Sequence, residues 1–116
     1  MASQDVEDLV EILQENKGKT VVVEGKRDKN VLCSLGFEHI LTIRKGIYET
    51  AEQLKDNEVL LLTDFDSEGK QIAKKLNLFL QPIGVTVDID TRRKIGRLFG
   101  KLKITKIEEL RGVLNG

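Results

Sequence analysis

The sequence holds one cysteine, one proline, one histidine, one tyrosine and no tryptophan. With Cys33 alone, an internal disulfide and a cysteine-rich zinc site are excluded, which fits a reducing compartment. His39 alone forms no His-pair metal site, and both His39 and Cys33 are read as packing residues. Aromatic residues make up 4% of the chain and no two flank basic residues, so stacking on unpaired bases is not indicated. The longest apolar run is the four residues Val59-Leu60-Leu61-Leu62, against the ~18 needed to cross a bilayer. The N-terminus shows no charged-then-apolar signal pattern. The expectation is a cytoplasmic protein.

What is present is 116 residues, 40% hydrophobic and 33% charged. That describes a single domain over residues 1–116, long enough to bury roughly two-thirds of its unfolded surface without a disulfide or structural metal. The formal net charge of zero hides an asymmetry. Residues 1–90 carry 11 Lys+Arg against 17 Asp+Glu, and residues 91–116 carry 8 against 2. An acidic region beside a basic strip suits a metal-dependent, phosphate-handling protein, and equally suits two solvated surfaces that attract each other.

Glycines and short polar clusters cut the chain into alternating elements. Val6, Leu9, Val10 and Leu13 recur at helical spacing behind Ser3, a candidate N-cap. Thr20–Val23 is a β-branched run ending in Glu24-Gly25, followed by a helical pattern through Val31, Leu32 and Leu35 that stops at Gly36. His39–Ile43 predicts a second strand, Ile47, Ala51 and Leu54 a crossover helix, and Glu58–Thr63 a third strand, apolar on both faces. Ser67 is placed to cap a helix through Ile72, Ala73, Leu76, Phe79 and Leu80, which ends near Pro82 and Gly84. Val85–Ile89 alternates as an edge strand, a helix starts at Thr91, and Thr105-Lys106-Ile107-Glu108 fits a capping box before a last helical segment. The alternation predicts an α/β fold, an open parallel sheet of about four strands with helices on both faces.

Ligands of such sheets bind beyond the carboxyl ends of the strands, where the direction of strand progression reverses. Glu24 ends one predicted strand, and Asp64-Phe65-Asp66-Ser67-Glu68 ends another. If those strands are neighbours, three or four carboxylates converge, and the i, i+2 spacing lets Asp64 and Asp66 face one ion. Clustered carboxylates repel and are neutralised by a hard divalent cation, Mg²⁺ first and Mn²⁺ in its place. The plainer account, a carboxylate capping the next helix, explains one Asp and leaves Glu24 unexplained.

Glu24-Gly25 after one apolar strand, then Asp64-Phe65-Asp66-Ser67-Glu68-Gly69 after another, resembles the Toprim domain of type IA topoisomerases, bacterial-type primases and 5S ribosomal RNA maturation nucleases. The similarity spans roughly Lys19 to Leu102, between an N-terminal helix and a basic, helical C-terminal extension. The resemblance implies a compact parallel sheet, Glu24 as general acid or base at the scissile phosphodiester, Asp64 and Asp66 as catalytic Mg²⁺ ligands, and Glu68 as an auxiliary acidic position. Tyrosine-bearing topoisomerase domains and the zinc and helical domains of primases find no counterpart here. Tyr48 lies in a helical pattern as a packing or surface residue. The expectation is a small stand-alone Toprim protein.

Two basic groups lie near this site in sequence. Lys26, Arg27 and Lys29 follow Glu24 at a helix start, where backbone N–H groups favour phosphate. From Thr91 onward, Ile95, Leu98, Phe99 and Leu102 fill one helical arc, and Arg93, Lys94, Arg97 and Lys101 fill the opposite one, a wholly basic face suited to a sugar-phosphate backbone. Gly96 and Gly100 beside that face suggest close approach of another backbone. Mg²⁺-dependent phosphodiester hydrolysis on DNA or RNA is the leading reading. A non-catalytic nucleic-acid-binding or accessory subunit working with a partner protein is the second. The third is a small-molecule phosphatase with Asp64 as nucleophile, which leaves Glu24-Gly25 unused.

Overall fold

Short aliphatic runs form the strands and amphipathic segments cover them, as the pattern predicts. The computed structural model describes residues 3–43, 46–54 and 58–115. In chain order the elements are α1 (Gln4–Asn16), β1 (Thr20–Val23), α2 (Lys26–Ser34), β2 (Ile40–Thr42), α3 (Ile47–Gln53), β3 (Glu58–Leu61), α4 (Ser67–Leu80), β4 (Thr86–Val87), α5 (Ile89–Lys101) and α6 (Leu110–Asn115). Single 3-10 turns at Gln81–Ile83 and Ile107–Glu109 precede β4 and α6. All pairings are parallel and the strand order is β2-β1-β3-β4. The fold is therefore the expected four-stranded parallel α/β sheet, with β4 at an edge.

Alternation along the strands makes two cores. Val21, Val23, Leu60 and Leu62 face one side, where they meet Leu9 and Leu13 of α1, Val31 and Leu32 of α2, and Ile95 and Phe99 of α5. Val22, Val59 and Leu61 face the other side against Ala51 and Leu54 of the α3 region and Ala73, Leu76 and Leu80 of α4. The β3 run looks uniformly apolar because both of its faces are covered. Burying each of these Val or Leu side chains contributes roughly 1.5–3 kcal/mol.

Several boundaries shift for local reasons. β3 ends at Leu61 rather than Thr63 because the chain then turns, and the buried Thr63 hydroxyl donates to the Gly69 carbonyl at 2.7 Å. α4 is capped by Asp66, not Ser67, since Asp66 Oδ1 accepts from Gly69 N at 2.8 Å. The predicted fourth strand shrinks to two residues because Asp88 accepts from Thr91 N at 3.0 Å and starts α5 at Ile89. The last turn is capped one residue later than expected. Glu109 Oε2 accepts from Thr105 N at 2.8 Å and Lys106 N at 2.9 Å, a register set by burial of Ile107. Cys33 and His39 are exposed rather than packed. Tyr48 is also exposed, with its ring 4.7 Å from that of Phe79.

Candidate metal centre at the sheet switch point

The chain runs from β1 to β2 on one side and returns to β3 on the other, so progression across the sheet reverses between β1 and β3. The chain just beyond both strand ends carries the acidic residues. Glu24, one residue past β1, points Oε2 at the Asp64 amide, which donates to it at 2.7 Å. This contact joins two motifs 40 residues apart. Burial raises the Glu24 carboxyl above the ordinary glutamate range; the Asp64 amide opposes that shift and the Asp64 charge adds to it.

Asp64 and Asp66 divide their oxygens in the same way. Asp64 Oδ1 accepts from Ile107 N at 2.9 Å, and Asp66 Oδ1 accepts from Gly69 N at 2.8 Å. The two Oδ2 atoms share one cation, the Lys106 ammonium, at 4.0 Å from Asp64 and 3.4 Å from Asp66. The Gly69 amide, with help from Lys106, holds Asp66 below the usual carboxylate range, while the Asp66 hydrogen bond raises Lys106. The i, i+2 pair thus faces a common positive charge, as its spacing suggests. Gly69 is required by close packing: a Cβ there would lie 2.1 Å from the Asp64 carbonyl oxygen.

Glu68 does not join them. It is exposed on the first turn of α4, while Glu24 is turned to a backbone amide. Among the described residues no group of three or more His, Cys, Asp or Glu side chains is placed to hold an ion. Of the three or four carboxylates expected to converge, the structure thus places a pair, Asp64 and Asp66, with Glu24 alongside. The paired Oδ2 atoms are hard oxygen donors already gathered around a positive charge, so they fit Mg²⁺ or Mn²⁺, which would take one or two carboxylates and keep several waters.

Three contributors escape the motif reading. Arg92 donates to the carbonyls of Leu61 and Thr63 at 2.9 Å and of Asp64 at 3.1 Å, and its guanidinium lies 4.3 Å from the Phe65 ring centre. It fastens the turn that presents Asp64, and burial lowers it to about 10, so it stays charged at neutral pH. Its spacing of three and seven from Ile95 and Phe99 was the available signal, because it puts Arg92 on the buried stripe of α5. Asp28, one turn after Glu24, is buried, and burial together with the negative charges of Asp64 and Glu108 pushes it up to about 6. Lys106 lies far along the chain and had no sequence signal tying it to the motif.

The other basic residues are on the surface. Lys26, Arg27 and Lys29 are exposed on the first turn of α2, with Arg27 3.9 Å from Glu108. Arg93, Lys94, Arg97 and Lys101 are exposed on α5, but their face is not free of acids. Lys94 pairs with Asp90 at 3.4 Å and Lys101 with Asp5 of α1 at 3.9 Å, and Lys94, Arg97 and Lys101 share a groove with Asp8, Glu11 and Glu15. A Cβ at Gly96 would come 2.9 Å from the Phe65 ring, so the close approach is to a side chain rather than to backbone, while a Cβ at Gly100 would meet nothing within 4 Å among the described residues.

An open parallel sheet with an acidic pair and a neighbouring glutamate at its switch point defines an α/β protein of the kind the motif resemblance implies. The sequence profile of the Toprim domain matches residues 18–89, and the chain belongs to that family. It is 36% identical over 112 residues to a UPF0292 protein of Archaeoglobus fulgidus, covering 92% of this chain and 90% of that one. With a UPF0292 protein of Thermococcus gammatolerans the identity is 39% over 109 residues, 91% of this chain and 80% of that one. A solved structure of an Aquifex aeolicus protein superposes with a TM-score of 0.75 at 24% identity, covering 92% of this chain and 99% of that one, and shows the same fold. Toprim domains generally bind Mg²⁺, and the family implies association with nucleic acid. No helix among the described residues is long and apolar enough to cross a membrane.

Proposed function

We propose that the protein hydrolyses phosphodiester bonds of nucleic acid with Mg²⁺ held by Asp64 and Asp66 and Glu24 moving the proton. The observation that carries this reading is the contact of Glu24, just past β1, with the Asp64 amide beyond β3, beside the Asp64 and Asp66 Oδ2 atoms turned to one cation. Bound Mg²⁺ supplies Lewis-acid stabilisation of charge on the phosphate. Glu24, which burial raises above the ordinary glutamate range, is the group placed beside the pair to exchange a proton with attacking water or the departing ester oxygen. Arg92 holds the Asp64 backbone in place throughout. Lys26, Arg27 and Lys29 on α2 and the outer residues of α5 contribute backbone attraction that salt weakens. Glu68, exposed on the first turn of α4, stands apart from the pair.

A non-catalytic nucleic-acid-binding or accessory subunit, working with a partner protein, is the second reading. It is favoured by the engagement of Glu24 Oε2 with a backbone amide and by the limited acidic cluster. End-labelled single- and double-stranded DNA and RNA, incubated with Mg²⁺ or Mn²⁺, separate the two. The hydrolase reading predicts metal-dependent cleavage that Glu24→Gln abolishes while salt-sensitive binding persists, since Gln still accepts from the Asp64 amide. Equal cleavage by both proteins contradicts the role of Glu24. Binding with no cleavage by either supports the accessory reading.

A further inference from the structure

We infer that Lys106 is the built-in occupant of the acidic pair, its ammonium standing between Asp64 Oδ2 and Asp66 Oδ2 until a divalent ion displaces it. The inference rests on the reading of Asp64 and Asp66 as metal ligands, and adds the chain's own competitor for that site. It assigns a site role to a residue beyond positions 18–89, where the family match ends.

Two features make Lys106 a displaceable cation rather than an ordinary surface pair. Its backbone is fixed at the site from several sides. Phe65 N donates to the Thr105 carbonyl at 2.6 Å, Ile107 N donates to Asp64 Oδ1 at 2.9 Å, and Ile107 is 1% exposed. The ammonium is therefore delivered to the two Oδ2 atoms by the same segment that orients Asp64. Its side chain, by contrast, is 54% exposed and free to swing outward on its four-carbon stem.

The surrounding charges favour an occupant. Asp64 and Asp66 face the amine directly, and Glu24 adds negative charge nearby. Arg92, the other cation of the site, is committed to three backbone carbonyls. One ammonium balances only part of this charge, and pairs this exposed are weak. A doubly charged ion, which Asp64 and Asp66 would hold, therefore wins the same oxygens at sufficient concentration. Lys106 holds the pair together without metal and raises the concentration at which metal enters.

The test is Mn²⁺ affinity, followed by electron paramagnetic resonance of the unbound ion, for the parent chain, Lys106→Met and Lys70→Met. Lys70 is an exposed lysine on the helix that Asp66 caps, and it controls for the loss of one positive charge. Lys106→Met is expected to bind Mn²⁺ about two- to fivefold tighter than the parent, the range set by the strength of exposed pairs, and tighter than Lys70→Met. In the parent, the Lys106 side-chain NMR signals should shift toward those of a solvated lysine as Mg²⁺ is added. Measurable Mn²⁺ binding with equal affinity in all three proteins, or an unmoved Lys106 signal at saturating Mg²⁺, overturns the displacement and leaves the metal site standing. No Mn²⁺ binding by either the parent or Lys106→Met removes the metal site itself, and the inference with it.

Discussion

Half-buried Arg92 and buried Asp28 show how single charges shape the candidate site. Arg92 satisfies three carbonyls and covers the face of Phe65. A lysine has no planar fork to reach all three. Arg92→Lys should therefore lower unfolding stability by about 1–3 kcal/mol in urea denaturation and weaken Mn²⁺ binding through the displaced Asp64. Asp28 acts in the opposite sense. Its carboxyl is raised from 3.8 to about 6, so across that interval the folded chain keeps a proton that the unfolded chain has lost. Its contribution is fully present below 3.8 and declines as pH rises through about 6. In metal-free buffer Asp28→Asn should be more stable than the parent at pH 7, by about 1–2 kcal/mol after solvent screening, with the gap closing near pH 4. A gap that persists at pH 4 would show that the charge of Asp28 is not its origin. Glu24, Asp64 and Asp66 were legible because each sits where an apolar run stops. The roles of Arg92, Asp28 and Lys106 were not, since the carbonyls that Arg92 reaches and the carboxylates near Asp28 and Lys106 come close only in the folded chain; for Arg92 the spacing marked its place on the inner stripe of α5 but not those partners.

Among the elements, α5 carries the sharpest contrast between two glycines in one helix. A Cβ at Gly96 would stand 2.9 Å from the Phe65 ring, which is wedged between Arg92 and Phe99, whereas a Cβ at Gly100 would meet open space among the described residues. Gly96→Ala should lose up to about 2 kcal/mol, overpacking outweighing the gain in helix propensity. Gly100→Ala should gain about 0.5 kcal/mol. Thermal denaturation of the pair reads the opposite signs directly, and a stabilised Gly96→Ala would mean that Phe65 can yield. The strands and most of the helices were readable from periodicity; that the acidic ends of β1 and β3 meet depended on those strands being neighbours, which the sheet order makes them. Their boundaries were less readable because the deciding contacts are tertiary. Ile107 buries itself and moves the cap to Glu109, and Asp88 turns from strand to cap when Thr91 reaches it.

At the scale of the whole molecule, the opposed charges of residues 1–90 and 91–116 meet inside the structure as well as facing outward. The basic side of α5 lies along the acids of α1, and Lys106 lies between Asp64 and Asp66. Folding thus returns the basic C-terminal region to the acidic switch point, the attraction that the charge asymmetry suggested, though composition did not say which residues meet. The central claim is that Asp64 and Asp66 form a divalent-cation site there. Asp66→Asn tests it with least disturbance, because Asn caps a helix about as well as Asp while removing the charge. The measurement is Mn²⁺ titration of the parent and Asp66→Asn with circular dichroism on both. One bound ion in the parent and roughly tenfold or weaker binding in the variant, at unchanged helix content, is the predicted result. No binding by the parent, or equal affinity in the two proteins, would contradict it.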